Sequence, residues 1–197
     1  MKKLYVNNQL VAIEDFKIEI RDEAPKFKVK IRESEWEEHP FQHDDSYTLF
    51  SNHKYINWDK HHLEELLDDE DRITKPEPYK YLYYKIYGFN HSGMSISRTP
   101  FSCHWDSGLL GVLRLRKDDF YDPEQAVDNY VKTVNQWLSG DVYTCIIENE
   151  LDECVDSCCG FYGSDDSTIE SMDEVLGFKQ YNITKEQVRE AFNNIEY

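Results

Sequence analysis

The sequence predicts an α+β fold, mainly antiparallel sheet with packed helices and a β-rich N-terminal appendage. Three observations predict it. Apolar and charged residues alternate at period two early in the chain. One long stretch, residues 123–138, has a period near 3.6 instead. No strand–helix alternation recurs, so parallel crossover units are absent and short connections favour antiparallel neighbours.

Each element follows from its residues. Phe16, Ile18 and Ile20 alternate with Lys17 and Glu19, and Phe27, Val29 and Ile31 alternate with Lys26, Lys28, Lys30 and Arg32. Period two sets each apolar group on one face, so both stretches read as strands, with residues 21–25 as the connection between them. The second strand presents a basic face, which is expected to be solvated or paired with nearby acid. Residues 33–45 are acidic, contain His39 and His43, and read as loop. Asp59 is a fair N-cap, and Leu63, Leu66 and Leu67 make a helical stripe, so a helix is expected up to Asp71. Acid at the C-terminal end of that helix opposes its dipole. Residues 72–78 hold two prolines and read as a linker.

The second half carries denser signals. Residues 81–87 (YLYYKIY) read as an aromatic strand, 90–93 as a turn, 94–97 as a returning strand and 109–115 (LLGVLRL) as an apolar strand. Asp122 and Pro123 open a helix along Val127, Tyr130, Val131, Val134, Trp137 and Leu138, which Gly140 closes. Residues 142–147 and 152–162 read as two strands. Two short helices complete the chain. Ser171 with Glu174 suggests a capping box before Val175, and Thr184 with Gln187 another before Val188, Ala191, Phe192 and Ile195. All eight glycines lie at or after Gly88. The expected division is a β-rich segment over residues 1–49 and an α+β core over residues 50–197.

Composition bounds the function. The chain has 197 residues and a formal charge of −17, with 14% aromatic residues, which speaks for a packed core and against an acidic disordered tail. No apolar run reaches the ~20 residues of a membrane helix, and the start of the chain turns polar at Asn7 and Asn8, so no signal-peptide core is expected. Five cysteines read as free thiols in a reducing compartment, and the expected location is cytoplasmic. Residues 141–197 hold 14 Asp and Glu against 3 Lys and Arg. Affinity for nucleic acid comes largely from Lys and Arg displacing counterions, so direct binding is not expected. The natural electrostatic partner is a basic surface, such as that of a nucleic-acid-binding protein; the plainer alternative is that the acid aids solubility.

Three constellations carry possible chemistry. His91 precedes the stretch Pro100-Phe101-Ser102-Cys103-His104-Trp105-Asp106-Ser107-Gly108. Cys103 there reads as a nucleophile with His91 or His104 as base and Asp106 as orienting acid, or else as a small buried hydrophobe beside a turn. Cys154, Cys158 and Cys159 lack a second cleanly spaced ligand pair, so no metal is expected, and no cofactor motif is present. The third is acidic. Glu64, Glu65, Asp68, Asp69, Glu70 and Asp71 on the expected helix form one carboxylate array, and Asp165, Asp166, Glu170, Asp173 and Glu174 form a second. Carboxylates three or four residues apart on a helix stand ~5–6 Å apart, which suits competition for a nucleic-acid-binding cleft.

Asn52-His53-Lys54-Tyr55, Tyr81-Leu82-Tyr83, His91-Ser92-Gly93, the PFSC-x-WDSG stretch at Pro100, Leu138-Ser139-Gly140-Asp141-Val142-Tyr143 and the DSC-x-GFYG stretch at Asp156 together resemble a family of phage and mobile-element proteins with no assigned activity. The resemblance spans most of residues 50–163. His104 and Cys159 stand where that pattern has Pro and Trp. The resemblance implies an accessory protein in a host cytoplasm that counters restriction or CRISPR machinery. Two functions are thus expected: an inhibitor that presents carboxylates to a basic surface of a host nucleic-acid-processing or defence complex, and, as the alternative, a small cysteine-dependent hydrolase acting on a nucleotide signal or a protein.

Overall fold

The computed structural model describes the backbone of residues 2–6, 9–14, 17–21, 25–34, 38–54, 56, 61–70, 72–74, 76–103 and 105–195, and side chains from residue 25 onward. Its strands are β1 (Lys2–Val6), β2 (Gln9–Glu14), β3 (Lys17–Arg21), β4 (Lys28–Glu33), β5 (Tyr47–Ser51), β6 (Tyr81–Asn90), β7 (Met94–Ser97), β8 (Ser107–Arg116), β9 (Val142–Glu148) and β10 (Cys154–Tyr162). Its helices are α1 (Pro123–Leu138), α2 (Asp166–Leu176) and α3 (Lys185–Asn193). Among the described residues every strand ladder is antiparallel, in sheets ordered β1-β2-β3, β10-β9-β4 and β5-β8-β6-β7. The fold is α+β, as the alternation of residue types predicts.

The chain forms two compact units. One takes residues 1–35 with 141–197, the other residues 36–140. The boundary expected between residues 49 and 50 falls inside β5. The hairpin expected between the strands near residues 18 and 29 does not form. β3 pairs with β2, and β4 pairs with β9, with Lys30 opposite Ile146 and Arg32 opposite Thr144.

In the unit of residues 36–140, α1 lies against the sheet. Val127, Tyr130 and Val134 meet Leu49, Ile86, Leu113 and Leu115 in one core. Asp122 caps α1 by accepting from the Gln125 N–H at 3.1 Å, with Pro123 at the first helical position. A bulge in the β6–β8 ladder after Ile86 adds Leu110 to the β8 side. That extra residue changes the phase of the strand, so Leu110 joins Leu113 in the same core. Gly111 is dictated by packing, because a Cβ there would sit 2.5 Å from the Phe50 carbonyl oxygen.

The other face of this sheet carries Phe50, Val112, Leu66 and Leu67. Here the helix expected between Asp59 and Asp71 is corrected. Only Leu63–Glu65 makes a single 3-10 turn. Asp59 and Asp71 lie outside the described residues. After the turn the chain doubles back, with Leu67 bridged to Ile73 and the Asp68 N–H donating to the Arg72 carbonyl at 2.9 Å.

In the other unit, α2 and α3 cover the β10-β9-β4 sheet. Ile169, Met172, Leu176 and Val188 pack on Ile31, Cys145, Ile147 and Phe161. The Thr184–Gln187 capping box forms as expected. The box expected at Ser171 does not, because Asp165 begins α2 six residues earlier and its carboxylate accepts from the Thr168 N–H at 3.2 Å. Gly177, at φ 64°, ends that helix in the left-handed region.

Candidate functional site

The β6–β7 turn and the segment entering β8 bring together residues that stand apart in sequence. The Asn90 N–H donates to the Asp106 carbonyl at 2.9 Å, and the Ser107 hydroxyl donates to the Cys103 carbonyl. These bonds fix the Asp106 side chain between two others. Its Oδ2 lies 3.1 Å from His91 Nδ1 and 3.8 Å from Cys103 Sγ. His91 is largely exposed and Cys103 half-buried. Trp105 stands 95% exposed beside them, and His104 lies outside the described residues.

All three sequence-chosen residues therefore meet, with the carboxylate in the middle. A cysteine nucleophile needs a base at its sulfur to take the proton. Here the thiol donates toward a carboxylate, and that same carboxylate orients the imidazole. The arrangement is a surface His–Asp pair able to exchange protons, with a thiol hydrogen-bonded to its acid partner. A cavity of about 210 Å³ adjoins it, lined by His53, Asn90, Met94, Asp106, Ser107 and Leu109 among others. Burial lowers the pKa of His53, with Lys54 adding to the effect. No spacing in the sequence joins His53 to Asp106; both line this cavity because β5 pairs with β8.

The other cysteines lie on adjacent strands. Cys145 and Cys158 stand opposite one another in the β9–β10 register. Both are free thiols, and burial pushes Cys145 up to about 12. Cys154 and Cys159 are exposed, on strand β10. Among the described residues no group of three or more His, Cys, Asp or Glu could hold a metal ion.

Most of the sequence-chosen carboxylates have local duties. Glu64 accepts from Asn52 Nδ2 at 2.9 Å. Glu65 accepts from the His62 N–H at 3.0 Å and meets His61 Nδ1 at 3.2 Å, and these contacts, the backbone one first, lower its pKa. Asp68 accepts the N–H groups of Glu70 and Arg72, each at 3.0 Å, and the Arg72 Nε at 2.9 Å. Glu70 pairs with Arg72 at 2.8 Å. In the second array Asp165 is a helix cap, Asp166 binds Arg189 at 2.8 Å, Glu170 binds Lys185 at 3.0 Å, and Asp173 accepts the Phe178 N–H at 2.9 Å. Asp69 and Glu174 are exposed, with no partner among the described residues. The first array thus lacks its helix, and in the second two carboxylates tie α2 to α3.

On the basic face of β4 the two lysines are paired with acid and Arg32 is exposed, which matches the expected solvated or paired face. Lys30 Nζ lies 3.1 Å from Glu148, while Lys28 lies 3.3 Å from Glu148 and also binds Asp152. Burial works to raise the Glu148 pKa, and the two lysines outweigh it and hold the carboxyl low.

No helix among the described residues is long and apolar enough to cross a membrane. Comparison with protein-family models, with curated proteins and with solved structures found no match.

Proposed function

We propose that this chain is a binding protein that inhibits a host nucleic-acid-processing or defence complex by presenting carboxylates to a basic surface of it. The observation that carries the reading is charge placed on a folded surface. Residues 141–197 hold 14 acidic residues against 3 basic ones, on strands and helices pinned by Ile147, Ile169, Met172 and Val188. Acid held on rigid elements loses little entropy on docking, and it complements a basic surface on a partner. The resemblance of residues 50–163 to phage and mobile-element proteins adds the host setting.

The test separates recognition from folding. The partner is captured from host lysate at low salt, released at high salt, identified and purified. Asp69→Lys and Glu174→Lys reverse two exposed charges that have no described partner. Together they are expected to weaken binding by about tenfold at low salt, with the gap narrowing as salt screens the contact. Duplex nucleic acid should compete for the same partner surface. Unchanged affinity in the double variant, or binding indifferent to salt, would sink the reading.

A second reading, the cysteine-dependent hydrolase, is favoured by the convergence of His91 and Cys103 on Asp106. It requires the imidazole to reach the sulfur, and the carboxylate between them makes it the weaker of the two. A Cys103→Ser chain that folds normally yet loses a measured hydrolysis would restore it.

A further inference from the structure

We propose that the outer edge of β4 is a docking edge for an extended acidic segment of a partner protein, which joins the β10-β9-β4 sheet as a fourth strand. The inference does not rest on the two carboxylate arrays, although α3 with Glu190 walls this edge and Glu148 and Asp152 hold Lys28 and Lys30 beside it.

The argument starts from ladder parity. The Ser34 N–H donates to the Val142 carbonyl at 2.8 Å, one step beyond the Glu33–Tyr143 pair in register. In an antiparallel ladder, bonded and non-bonded pairs alternate. Arg32 with Thr144, Lys30 with Ile146 and Lys28 with Glu148 are therefore the bonded pairs. The N–H and C=O groups of Val29, Ile31 and Glu33 point the other way, off the sheet. Sheet order leaves β4 at that edge, with no second strand neighbour among the described residues. A row of such groups is a template for another strand.

The edge opens onto space that can receive a strand. A cavity of about 880 Å³ runs along it, lined by the whole of β4 and by Gln187, Glu190, Ala191 and Asn194 of α3. A free edge beside a helix wall is the groove in which peptides bind by strand addition.

Charge selects the occupant. Ile31 is buried under α3 and Val29 packs against the same core, so the alternating Lys28, Lys30 and Arg32 project from the opposite face. Lys28 and Lys30 share Glu148 and Asp152, whereas Arg32 is exposed and has no ion pair among the described residues. A second copy fits badly. Two β4 strands paired antiparallel about Ile31 would set Lys30 opposite Arg32 of the other copy, and like charges directly opposite are destabilising. A segment with Asp or Glu at alternate positions and small apolar residues between them meets both the charge and the groove.

The experiment uses the full ¹⁵N-labelled chain titrated with a blocked peptide of alternating Glu and Val, and separately with its Lys–Val counterpart. Saturable shifts and slowed hydrogen exchange at the amides of Val29, Ile31 and Glu33 are expected with the acidic peptide alone. Glu33→Pro removes an outward N–H while sparing the β9 ladder and the core, and should weaken binding about tenfold. Arg32→Glu should shift the preference toward the Lys–Val peptide. Spectra of both variants matching the parent away from β4 show that they fold. The proposal is overturned if the acidic peptide produces no saturable change, if its shifts centre on β10, if Glu33→Pro binds as the parent does, or if both peptides bind alike. Concentration-dependent self-association through β4 would also overturn it, by making a second copy the occupant.

Discussion

Burial lowers the pKa of His39 to about 3. The ring is 5% exposed, packs on Trp137 with centroids 5.1 Å apart, and its Nδ1 accepts the Phe41 N–H at 3.1 Å. An acceptor nitrogen in an apolar setting favours the neutral ring. The folded pKa is below the unfolded value, so the unfolded chain binds the extra proton first. The contribution to stability is complete above pH ~6.5 and is lost as pH falls toward 3, by up to about 1.4 kcal/mol per pH unit. Denaturant titrations of the parent and of His39→Gln from pH 7 to pH 4 should show a shallower loss in the variant. Equal slopes would mean that His39 does not set the acid sensitivity. His39 was visible in the sequence only as part of an acidic loop. Its burial depends on aromatic residues of α1, nearly a hundred positions on. His91, Cys103 and Asp106 were legible as a group, because they lie close together in the chain, in the β6–β7 turn and in the segment before β8. That the carboxylate would stand between the other two was not, since the Asn90–Asp106 backbone bond decides it.

Helix ends decide much at the scale of the element. The Asp165 carboxylate accepts from the Thr168 N–H and from the Ser167 and Thr168 hydroxyls. Asp165→Ala should therefore cost about 1 kcal/mol of stability, read as a lowered denaturant midpoint with unchanged slope. If Asp165 served only partner binding, the midpoint would stay. Thr184 and Gln187 show a cap that local sequence announces fully. The expected helix through Leu63–Leu67 shows the reverse. Asp68 turns its carboxylate onto the amides of Glu70 and Arg72, and such side-chain bonds compete with helix. Acid crowded at a helix C-terminus adds to the cost. Leu66 and Leu67 are buried all the same, so the leucine stripe marked core correctly while its period misled.

The two compact units set the behaviour of the whole molecule. Residues 36–140 are contiguous and hold their own core around Leu49, Ile86, Leu113 and Tyr130. A fragment of those residues should fold alone, with dispersed amide resonances and a cooperative thermal transition. A fragment of residues 141–197 should not, because β9 loses β4 as its partner and Ile31 leaves the core. Two unfolded fragments, or two folded ones, would contradict this account. The sequence by itself determined the α+β class, the period and caps of α1, the β6–β7 hairpin and the run of β8, since each is written in residues a few positions apart. It also determined that acid gathers after residue 141. Only the tertiary structure decided that β4 joins β9, where Lys30 meets Glu148 across 118 positions, and which carboxylates are spent on caps and ion pairs. Local pattern sets a strand's period and faces; its neighbour is chosen by complementarity between residues that approach one another only when the chain has folded.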